Sequence, residues 1–290
     1  MDILSTKGFE DYALLDSGNG RRLEVFGKYM ISRPDPQAIW QQNFGQSFWE
    51  KADAVYIQNG NKGSWNNKNG VPQKWAIKYK NLSFYCKLTP FKHTGVFPEQ
   101  ALNWDFIGEK IALRLTGGSQ PNILNLFGYT GASTLAAAAA GAKVTHLDAS
   151  KPSILWAKEN QQASGLSEKP VRWILDDAVK FVQREIKRGV KYDGIIMDPP
   201  VYGHGPEGEI WDFNESFPKL MELCKQVLSD NPLFVIINAY AISSSSVMLL
   251  NVLSDHLGTL GGKIEYGELA LEEKDSGRFL STGIFGRWSK

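Results

Sequence analysis

Carboxylates that follow short apolar runs are the residues of this sequence best suited to chemistry. Asp148, Asp177 and Asp198 each come just after such a run, and Asp176 precedes Asp177. Runs of this length are typical of buried strands in a parallel sheet. Open α/β sheets bind ligands at the carboxyl ends of their strands. A carboxylate there can accept both hydroxyls of an adenosine ribose, so the spacing predicts a nucleoside site.

A glycine turn precedes the first of these acids. Residues 123–127 (ILNLF) are an apolar run, which Gly128 and Gly131 break before a helix-forming, alanine-rich segment. Gly141 ends that segment, and residues 143–147 (KVTHL) predict the next strand, so the pattern favours a βαβ unit. We expect the turn and the helix start to offer backbone N–H groups to a carboxylate or phosphate. The spacing is not G-x-G-x-x-G, and tight packing is the alternative explanation of the glycines.

The segments NLFGYTG, HLDAS, LDDA and MDPP, in this order, resemble the S-adenosylmethionine-dependent methyltransferases of the Rossmann-like class. More narrowly, the chain is similar to the bacterial family that includes the 23S rRNA cytosine-5 methyltransferases. The likeness covers roughly residues 90–290, with TGVFPEQ before the first strand and GRFLSTGIFGRW near the end. It implies S-adenosyl-L-methionine as cofactor and an α/β fold, with a seven-stranded Rossmann-like sheet between helices on both faces.

The resemblance also implies roles for particular residues. Those it assigns are Asn125, Phe127, Gly128 and Gly131 for the methionine part of the cofactor, Asp148 for the ribose, Asp177 and Ala178 for the adenine, Phe97 and Gln100 as the cover of the pocket, Tyr129 and Ala149 as further cofactor contacts, and Asp198 beside the transferred methyl group.

The segment that begins at Asp198 (DPPVY) suits a catalytic turn. Two prolines fix φ and stiffen it, and the carboxylate of Asp198 can accept an N–H of the target and assist proton loss. The ring of Tyr202 can stack on a flipped base, and simple packing is the equal alternative. Residues 203–212 read as a flexible loop, in which His204 is a secondary candidate for a general base.

The chain departs from the family in its cysteines. Cytosine-5 methyltransferases need a cysteine beside the proline motif or just past the fifth strand. Here those segments read DPPVY and INAYAIS, with Tyr240 near the second position. Cys86 and Cys224 instead share faces with apolar residues, so we expect both to be buried. The sequence therefore predicts direct transfer without a cysteine intermediate.

Length and composition indicate two domains, a β-rich domain of residues 1–95 and a methyltransferase domain of residues 96–290. No apolar run reaches the length of a membrane span, and no signal-peptide pattern is present. Two cysteines and four scattered histidines give no metal-ligand pattern. We therefore expect a cytoplasmic protein that binds neither membrane nor metal.

The N-terminal part carries a basic stretch. Residues 1–95 hold thirteen Lys or Arg and eight Asp or Glu, and no acid occurs between Asp53 and Glu99. Seven lysines in that interval alternate with aromatic residues, which is the composition of a nucleic-acid surface. A solvated outer face is the alternative for any single lysine. The stretch favours RNA as the partner, and the family resemblance implies that this RNA is rRNA.

Local patterns predict the N-terminal elements. Residues 12–15 and 22–30 read as a hairpin, residues 37–53 as a helix, and residues 59–70 as a loop. Residues 74–80 and 82–88 alternate between apolar and polar, which predicts a two-faced hairpin with Lys74, Lys78 and Lys80 on its wet face.

The resulting hypothesis is an S-adenosylmethionine-dependent methyltransferase acting on a base of RNA. Within the fold, the alternative is a protein or small-molecule methyltransferase. An NAD-dependent oxidoreductase and a catalytically inactive RNA-binding relative are the rivals from other classes.

Overall fold

The computed structural model describes residues 1–60, 62–240 and 244–290. The strands within them are β1 (Asp2–Ser5), β2 (Tyr12–Gly18), β3 (Arg21–Phe26), β4 (Tyr29–Pro34), β5 (Ala54–Asn59), β6 (Lys62–Asn67), β7 (Trp75–Tyr79), β8 (Leu82–Cys86), β9 (Asn122–Leu126), β10 (Lys143–Asp148), β11 (Val171–Leu175), β12 (Gly194–Met197), β13 (Tyr202–His204), β14 (Ile210–Asp212), β15 (Phe234–Ala239), β16 (Lys263–Glu272) and β17 (Phe279–Ser289). The α-helices are α1 (Gln46–Trp49), α2 (Ala101–Thr116), α3 (Ala132–Ala139), α4 (Lys151–Ala163), α5 (Ala178–Lys187), α6 (Phe213–Val227) and α7 (Ser246–Leu257), and short 3₁₀ helices span Pro98–Gln100 and Gly258–Leu260.

The large sheet has the strand order β1-β16-β17-β15-β12-β9-β10-β11. The five consecutive strands β15, β12, β9, β10 and β11 are parallel, and β17 runs antiparallel to β15. Ile195 and Met197 of β12 pack in one core cluster with helices α5, α6 and α7, whereas Ile196 packs in another with α2 and α3. Because successive strand residues point to opposite faces, helices cover both faces of this sheet.

This architecture confirms the predicted α/β class. The sheet has eight strands rather than seven, since β1 adds an edge strand beside β16. The sequence pattern predicts parallel strands over residues 123–127, 143–147, 171–175, 192–197 and 233–238. It predicts helices over residues 104–115, 131–140, 152–164, 177–188, 214–228 and 243–256. The observed helices and parallel strands agree with these ranges within a few residues. The predicted start of the last helix, Ser243, lies outside the described residues.

The chain forms two compact units. One contains residues 1–4, 102–269 and 283–290, and the other contains residues 5–101 and 270–282. The second unit holds the five-stranded sheet β2-β3-β4-β5-β6 and the pair β7-β8, so the N-terminal region is β-rich. The division of the chain at residue 95 stays a prediction.

The predicted helix over residues 37–53 is wrong, because only α1 within it is helical. The buried carboxylate of Asp16 accepts backbone N–H groups of Asn43 and Phe44 at 3.1 and 2.8 Å and the indole N–H of Trp49 at 2.9 Å. These long-range hydrogen bonds hold residues 43 and 44 outside a helix. Tertiary contacts override the local apolar pattern here.

Three other expectations are corrected. The predicted loop 59–70 contains β6, whose Trp65 ring packs on Tyr56 at 5.1 Å. The predicted strand 22–30 is two strands, β3 and β4, joined at Gly27, whose φ is +65°. The predicted loop 203–212 forms the hairpin β13–β14, anchored by buried Trp211, whose Nε1 donates to the carbonyl of Pro200 at 2.7 Å.

Candidate active site

The strand register brings the predicted acids together at the carboxyl ends of the parallel strands of the large sheet. Leu126 of β9 lies beside Leu147 of β10 and Met197 of β12, and Asp148 lies beside Leu175. The next residues along these strands therefore begin the loops at the same edge. Asp148, the pair Asp176–Asp177 and Asp198 belong to this set, together with the glycine turn.

Asp148 is held by the backbone on both sides. Its Oδ2 accepts the N–H of Tyr129 at 2.8 Å, and its Oδ1 accepts the N–H of Ser150 at 2.8 Å. Burial raises the pKa of this carboxyl, and the two N–H groups counteract part of that rise. Each carboxylate oxygen can accept a second hydrogen bond. Asp148 can therefore bind two hydroxyl donors without losing its own support.

The glycine turn is shaped by what lies beneath it. A Cβ on Gly128 would come within 2.4 Å of the His146 ring, and one on Gly131, whose φ is +86°, would meet Ala157 at 2.9 Å. Phe127 and Tyr129 also have positive φ, +56° and +49°. Close packing and backbone conformation therefore require both glycines.

The turn donates fewer N–H groups outward than the sequence predicts. The N–H of Gly128 donates to Leu147, that of Gly131 donates to Gly128, and that of Tyr129 donates to Asp148. The expectation that the turn itself offers these groups to a ligand is wrong for these three residues. Two of these groups donate to strand β10, and the third closes the turn on its own backbone.

A buried polar chain supports the turn, and two of its members escaped the sequence reasoning. The amide Nδ2 of Asn125 donates to Thr134 Oγ1 at 2.8 Å, and Thr134 Oγ1 lies 2.8 Å from His146 Nδ1. All three side chains are buried. Burial lowers the pKa of His146 to about 3, so its ring is neutral. Asn125 and His146 are partners in the β9–β10 register. Two polar residues within apolar, neighbouring strands are the sequence signal that could have indicated this buried contact.

Asp177 caps helix α5. Its Oδ1 accepts the N–H of Lys180 at 2.9 Å, while Asp176 pairs with Arg184. Ala178 is buried at the start of the helix, and Ala149 is half-buried next to Asp148.

Asp198 is half-buried directly after β12, and Pro199 behind it is buried. The hairpin β13–β14 follows at once. Tyr202 is 57% exposed, and its ring meets the exposed ring of His204 edge-on at 5.4 Å. Trp211 on the other face packs against Phe127 at 4.8 Å. The turn after Asp198 is therefore joined to the glycine turn through two aromatic rings.

Phe97 and Gln100 belong to the second unit. Phe97 precedes the 3₁₀ helix Pro98–Gln100, and its ring lies 5.3 Å from the ring of His93. Both residues are half-buried.

The two cysteines are buried, as predicted. Cys86 is 0% exposed and Cys224 2% exposed, and Cys224 packs in the core cluster of helices α5 to α7. Burial raises the pKa of Cys224 to about 12 and raises that of Cys86 above its ordinary value. A thiol in apolar surroundings is a weak nucleophile.

In the part of the chain that the structure describes, no group of three or more His, Cys, Asp or Glu side chains could hold a metal ion. Among the helices of residues 1–60, 62–240 and 244–290, none has the length and apolar character needed to cross a membrane.

A parallel sheet with helices on both faces and a line of strand-end carboxylates define a nucleoside-binding α/β enzyme. Residues 58–254 match the model of the S-adenosylmethionine-dependent methyltransferases, and the chain belongs to that family. Its cofactor is S-adenosylmethionine. Each oxygen of Asp148 already accepts one backbone N–H and can accept a second hydrogen bond, which fits the two ribose hydroxyls of that molecule.

Solved structures agree with this assignment. A methyltransferase from Agrobacterium tumefaciens is 40% identical, with a TM-score of 0.95 over 100% of this chain and 93% of that one. A methyltransferase from Streptococcus mutans has a TM-score of 0.71 at 18% identity, over 97% of this chain and 76% of that one, and shows the same fold.

Curated relatives are larger proteins. The ribosomal RNA large subunit methyltransferase K/L of Shewanella frigidimarina is 31% identical over 56% of this chain and 21% of its own length. The protein of the same name from Shewanella baltica is 28% identical over 64% of this chain and 26% of its own length. The chain thus spans about a quarter or less of these relatives.

Proposed function

We propose that this methyltransferase modifies a base of RNA, and of rRNA in particular, by direct in-line transfer without a cysteine intermediate. The observation that carries the proposal is the edge of carboxylates around Asp148 and Asp198, combined with two deeply buried thiols. Bound S-adenosylmethionine supplies an electrophilic methyl group. A nitrogen or oxygen of the base forms the new bond to that carbon as the carbon–sulfur bond breaks, and the sulfur keeps the electron pair.

We assign the cofactor contacts as follows. Asp148 accepts the ribose hydroxyls, with Ala149 beside it, and Asp177 with Ala178 receives the adenine. The methionine part lies against the turn and the strand before it, at Asn125, Phe127, Gly128, Tyr129 and Gly131. Phe97 and Gln100 are the two further cofactor residues that the family resemblance implies.

Asp198 is the proposed catalytic residue. Its carboxylate accepts an N–H of the target base, which orients the acceptor atom, and receives the proton released on transfer. Tyr202 stacks on the base, for which its exposed ring is suited. Most of the rate enhancement comes from holding the two reactants in line. His204, whose ring contacts Tyr202, is a secondary candidate for the base.

The RNA assignment rests on two observations. The curated relatives named above are ribosomal RNA methyltransferases. The acid-free stretch between Asp53 and Glu99 also forms a hairpin, β7–β8, whose Lys74, Lys78 and Lys80 are exposed. Lys74 Nζ lies 4.3 Å from the centre of the Tyr85 ring, so cations and a stackable ring share that face.

Replacing Lys74, Lys78 and Lys80 with glutamine is expected to weaken RNA binding and to flatten its dependence on salt. Three lost phosphate contacts should reduce the slope of log K against log salt by about 2 for single-stranded RNA. Affinity for S-adenosylhomocysteine should not change. Glutamine at Lys7, Lys28 and Lys51, three exposed lysines outside the acid-free stretch, is the matched control. An equal slope for both triple variants would make the hairpin a merely solubilising face.

The double variant Cys86→Ala/Cys224→Ala is expected to keep its methyltransferase activity. Direct transfer needs no thiol, and loss of two small buried groups should cost about 1 kcal/mol each in stability. Activity of the folded variant on RNA from cells that lack the gene is the measurement. Complete loss of activity, or a covalent adduct with 5-fluorocytosine RNA that requires either thiol, would restore cytosine-5 chemistry.

Cofactor titration separates the rival functions. S-adenosylhomocysteine should bind and NADH should not, which excludes the oxidoreductase. RNA binding without any cofactor binding would favour the inactive relative. Methyl transfer to protein or small molecules, with none to RNA, would favour the other methyltransferases. Mass spectrometry of RNA nucleosides from cells with and without the gene identifies the modified base.

A further inference from the structure

A short loop in the second unit presents an aromatic ring to solvent. Residues 89–93, here the Phe91 loop, connect β8 to the segment that leads into the 3₁₀ helix Pro98–Gln100. Phe91 at its tip is 72% exposed. The N–H of Lys87 donates to the carbonyl of Thr94 at 3.1 Å and closes the base of the loop.

Side-chain donors hold the carbonyls of the Phe91 loop in place. Trp65 Nε1 donates to the carbonyl of Thr89 at 2.7 Å, and the Tyr56 hydroxyl donates to that of Pro90 at 3.0 Å. Arg33 Nη1 donates to the carbonyl of Lys92 at 3.1 Å. Tyr56 and Arg33 are buried at 4% and 1% exposure, so these donors belong to the core of the unit.

The hydroxyl of Thr89 serves the two remaining carbonyls. It lies 2.8 Å from the carbonyl of Phe91 and 2.7 Å from that of His93, and its single hydrogen is shared between them. Each carbonyl from residue 89 to residue 93 thus has a side-chain donor. This support fixes the backbone of the loop, and so the position of the Phe91 Cα, before any partner arrives.

Single exposed apolar side chains are ordinary on protein surfaces, so exposure alone does not distinguish Phe91. Ile39, in the same unit, is 85% exposed. Phe91 differs because its loop is rigid and because no acid lies between residues 53 and 99. Lys87 and Lys92 flank the ring in sequence. The stretch of chain that carries the ring is therefore positively charged, which complements a polyanion, and a loop whose backbone is already held in place loses little conformational entropy on binding.

We propose that the Phe91 loop is an RNA contact in which the ring of Phe91 stacks on an unpaired base, while Lys87 and Lys92 neutralise the adjoining phosphates. The proposal rests on the proposed RNA substrate and names an element that recognises it. Base–aromatic stacking accepts any base. The loop therefore recognises single-stranded or bulged RNA through its exposed bases and not through its sequence.

Phe91→Ala tests the proposal by fluorescence anisotropy. The probes are a labelled single-stranded RNA of about 12 nucleotides and an abasic strand of the same length, which keeps the phosphates and lacks the bases. The variant should bind the base-bearing strand roughly 5- to 100-fold more weakly. Its salt slope should equal that of the wild type, because no phosphate contact is lost. Binding of the abasic strand should not change.

Two further variants serve as controls. Phe91→Trp should restore binding, because a larger ring stacks at least as well, and Ile39→Ala should bind like the wild type. All variants should retain their thermal midpoint and their affinity for S-adenosylhomocysteine. Wild-type affinity in Phe91→Ala, or an equal loss on the abasic strand, would overturn the stacking role alone. Failure of the wild-type protein to bind either strand would overturn the RNA function as well.

Discussion

Glu24→Ala is expected to lower the free energy of unfolding of the second unit by about 3–5 kcal/mol, because it leaves the buried guanidinium of Arg33 without its anion. Glu24 is fully buried and accepts Arg33 Nε at 2.6 Å, Arg33 Nη2 at 3.0 Å and the hydroxyl of Tyr12 at 2.7 Å. Arg22 Nε lies 3.2 Å away. Both arginines are buried. Denaturant unfolding followed by circular dichroism is the measurement.

A surface ion pair provides the control for this loss. Lys7 pairs with Glu272 at 3.6 Å in the same unit, and its side chain is 77% exposed. Exposed pairs contribute about 0–1 kcal/mol, so Lys7→Ala should change stability little. Similar losses of unfolding free energy in both variants would show that the buried cluster stabilises the protein no more than a surface ion pair does.

The carboxyl group of Glu24 also contributes to the pH dependence of the protein's stability. Burial alone would raise the pKa of Glu24, but Arg22 and Arg33 outweigh it and lower the pKa to about 2. The unfolded chain titrates this group at its ordinary, higher value. The stabilisation is therefore complete at neutral pH and is lost as the pH falls from the ordinary range toward 2. Glu24→Gln should flatten that part of the stability curve.

Much of the large sheet could be predicted because its signals are local. The strand over residues 171–175 has the predicted bounds, since an apolar run that ends at an acid needs no distant partner to be recognised. The strand-end acids followed from the same pattern. Parallel strands placed them at one edge, as the topology requires.

The errors occurred where a distant side chain determines the local structure. Residues 43 and 44 leave the helical conformation because Asp16, far away in sequence, accepts their N–H groups. The hairpin β13–β14 forms where Trp211 is buried and bonded to Pro200. Neither contact could be predicted from the residues adjacent in sequence.

The candidate site was predicted in part for the same reason. The position of Asp148 at the end of a strand could be predicted, but the contact of Thr134 with His146 depends on how a helix packs on a sheet. That contact explains the glycine at position 128, whose Cβ would collide with the His146 ring. Packing therefore constrains this turn whatever it binds.

Asp148→Ala is expected to weaken cofactor binding by about 2–4 kcal/mol, the typical worth of charge-assisted hydrogen bonds to two hydroxyls. This corresponds to a loss of about 30-fold to several hundred-fold in affinity. Isothermal titration with S-adenosylhomocysteine measures it. Burial raises the pKa of Asp148, so wild-type affinity should fall on acidification at a higher pH than an ordinary aspartate would give. The affinity of the alanine variant should not show this fall on acidification.

Asp193→Ala is the matched control for Asp148. It removes a hydrogen-bonded acid at the amino ends of the parallel strands, whereas Asp148 lies at their carboxyl ends. Asp193 precedes β12, and its Oδ2 accepts the N–H of Asn122 at 2.9 Å while its Oδ1 accepts the hydroxyl of Ser229 at 2.8 Å. It should lower stability, as Asp148→Ala should, yet leave cofactor affinity unchanged in the folded protein. Asp148→Asn keeps one acceptor oxygen and should fall between wild type and alanine. Unchanged affinity in a folded Asp148→Ala variant would show that another group binds the ribose.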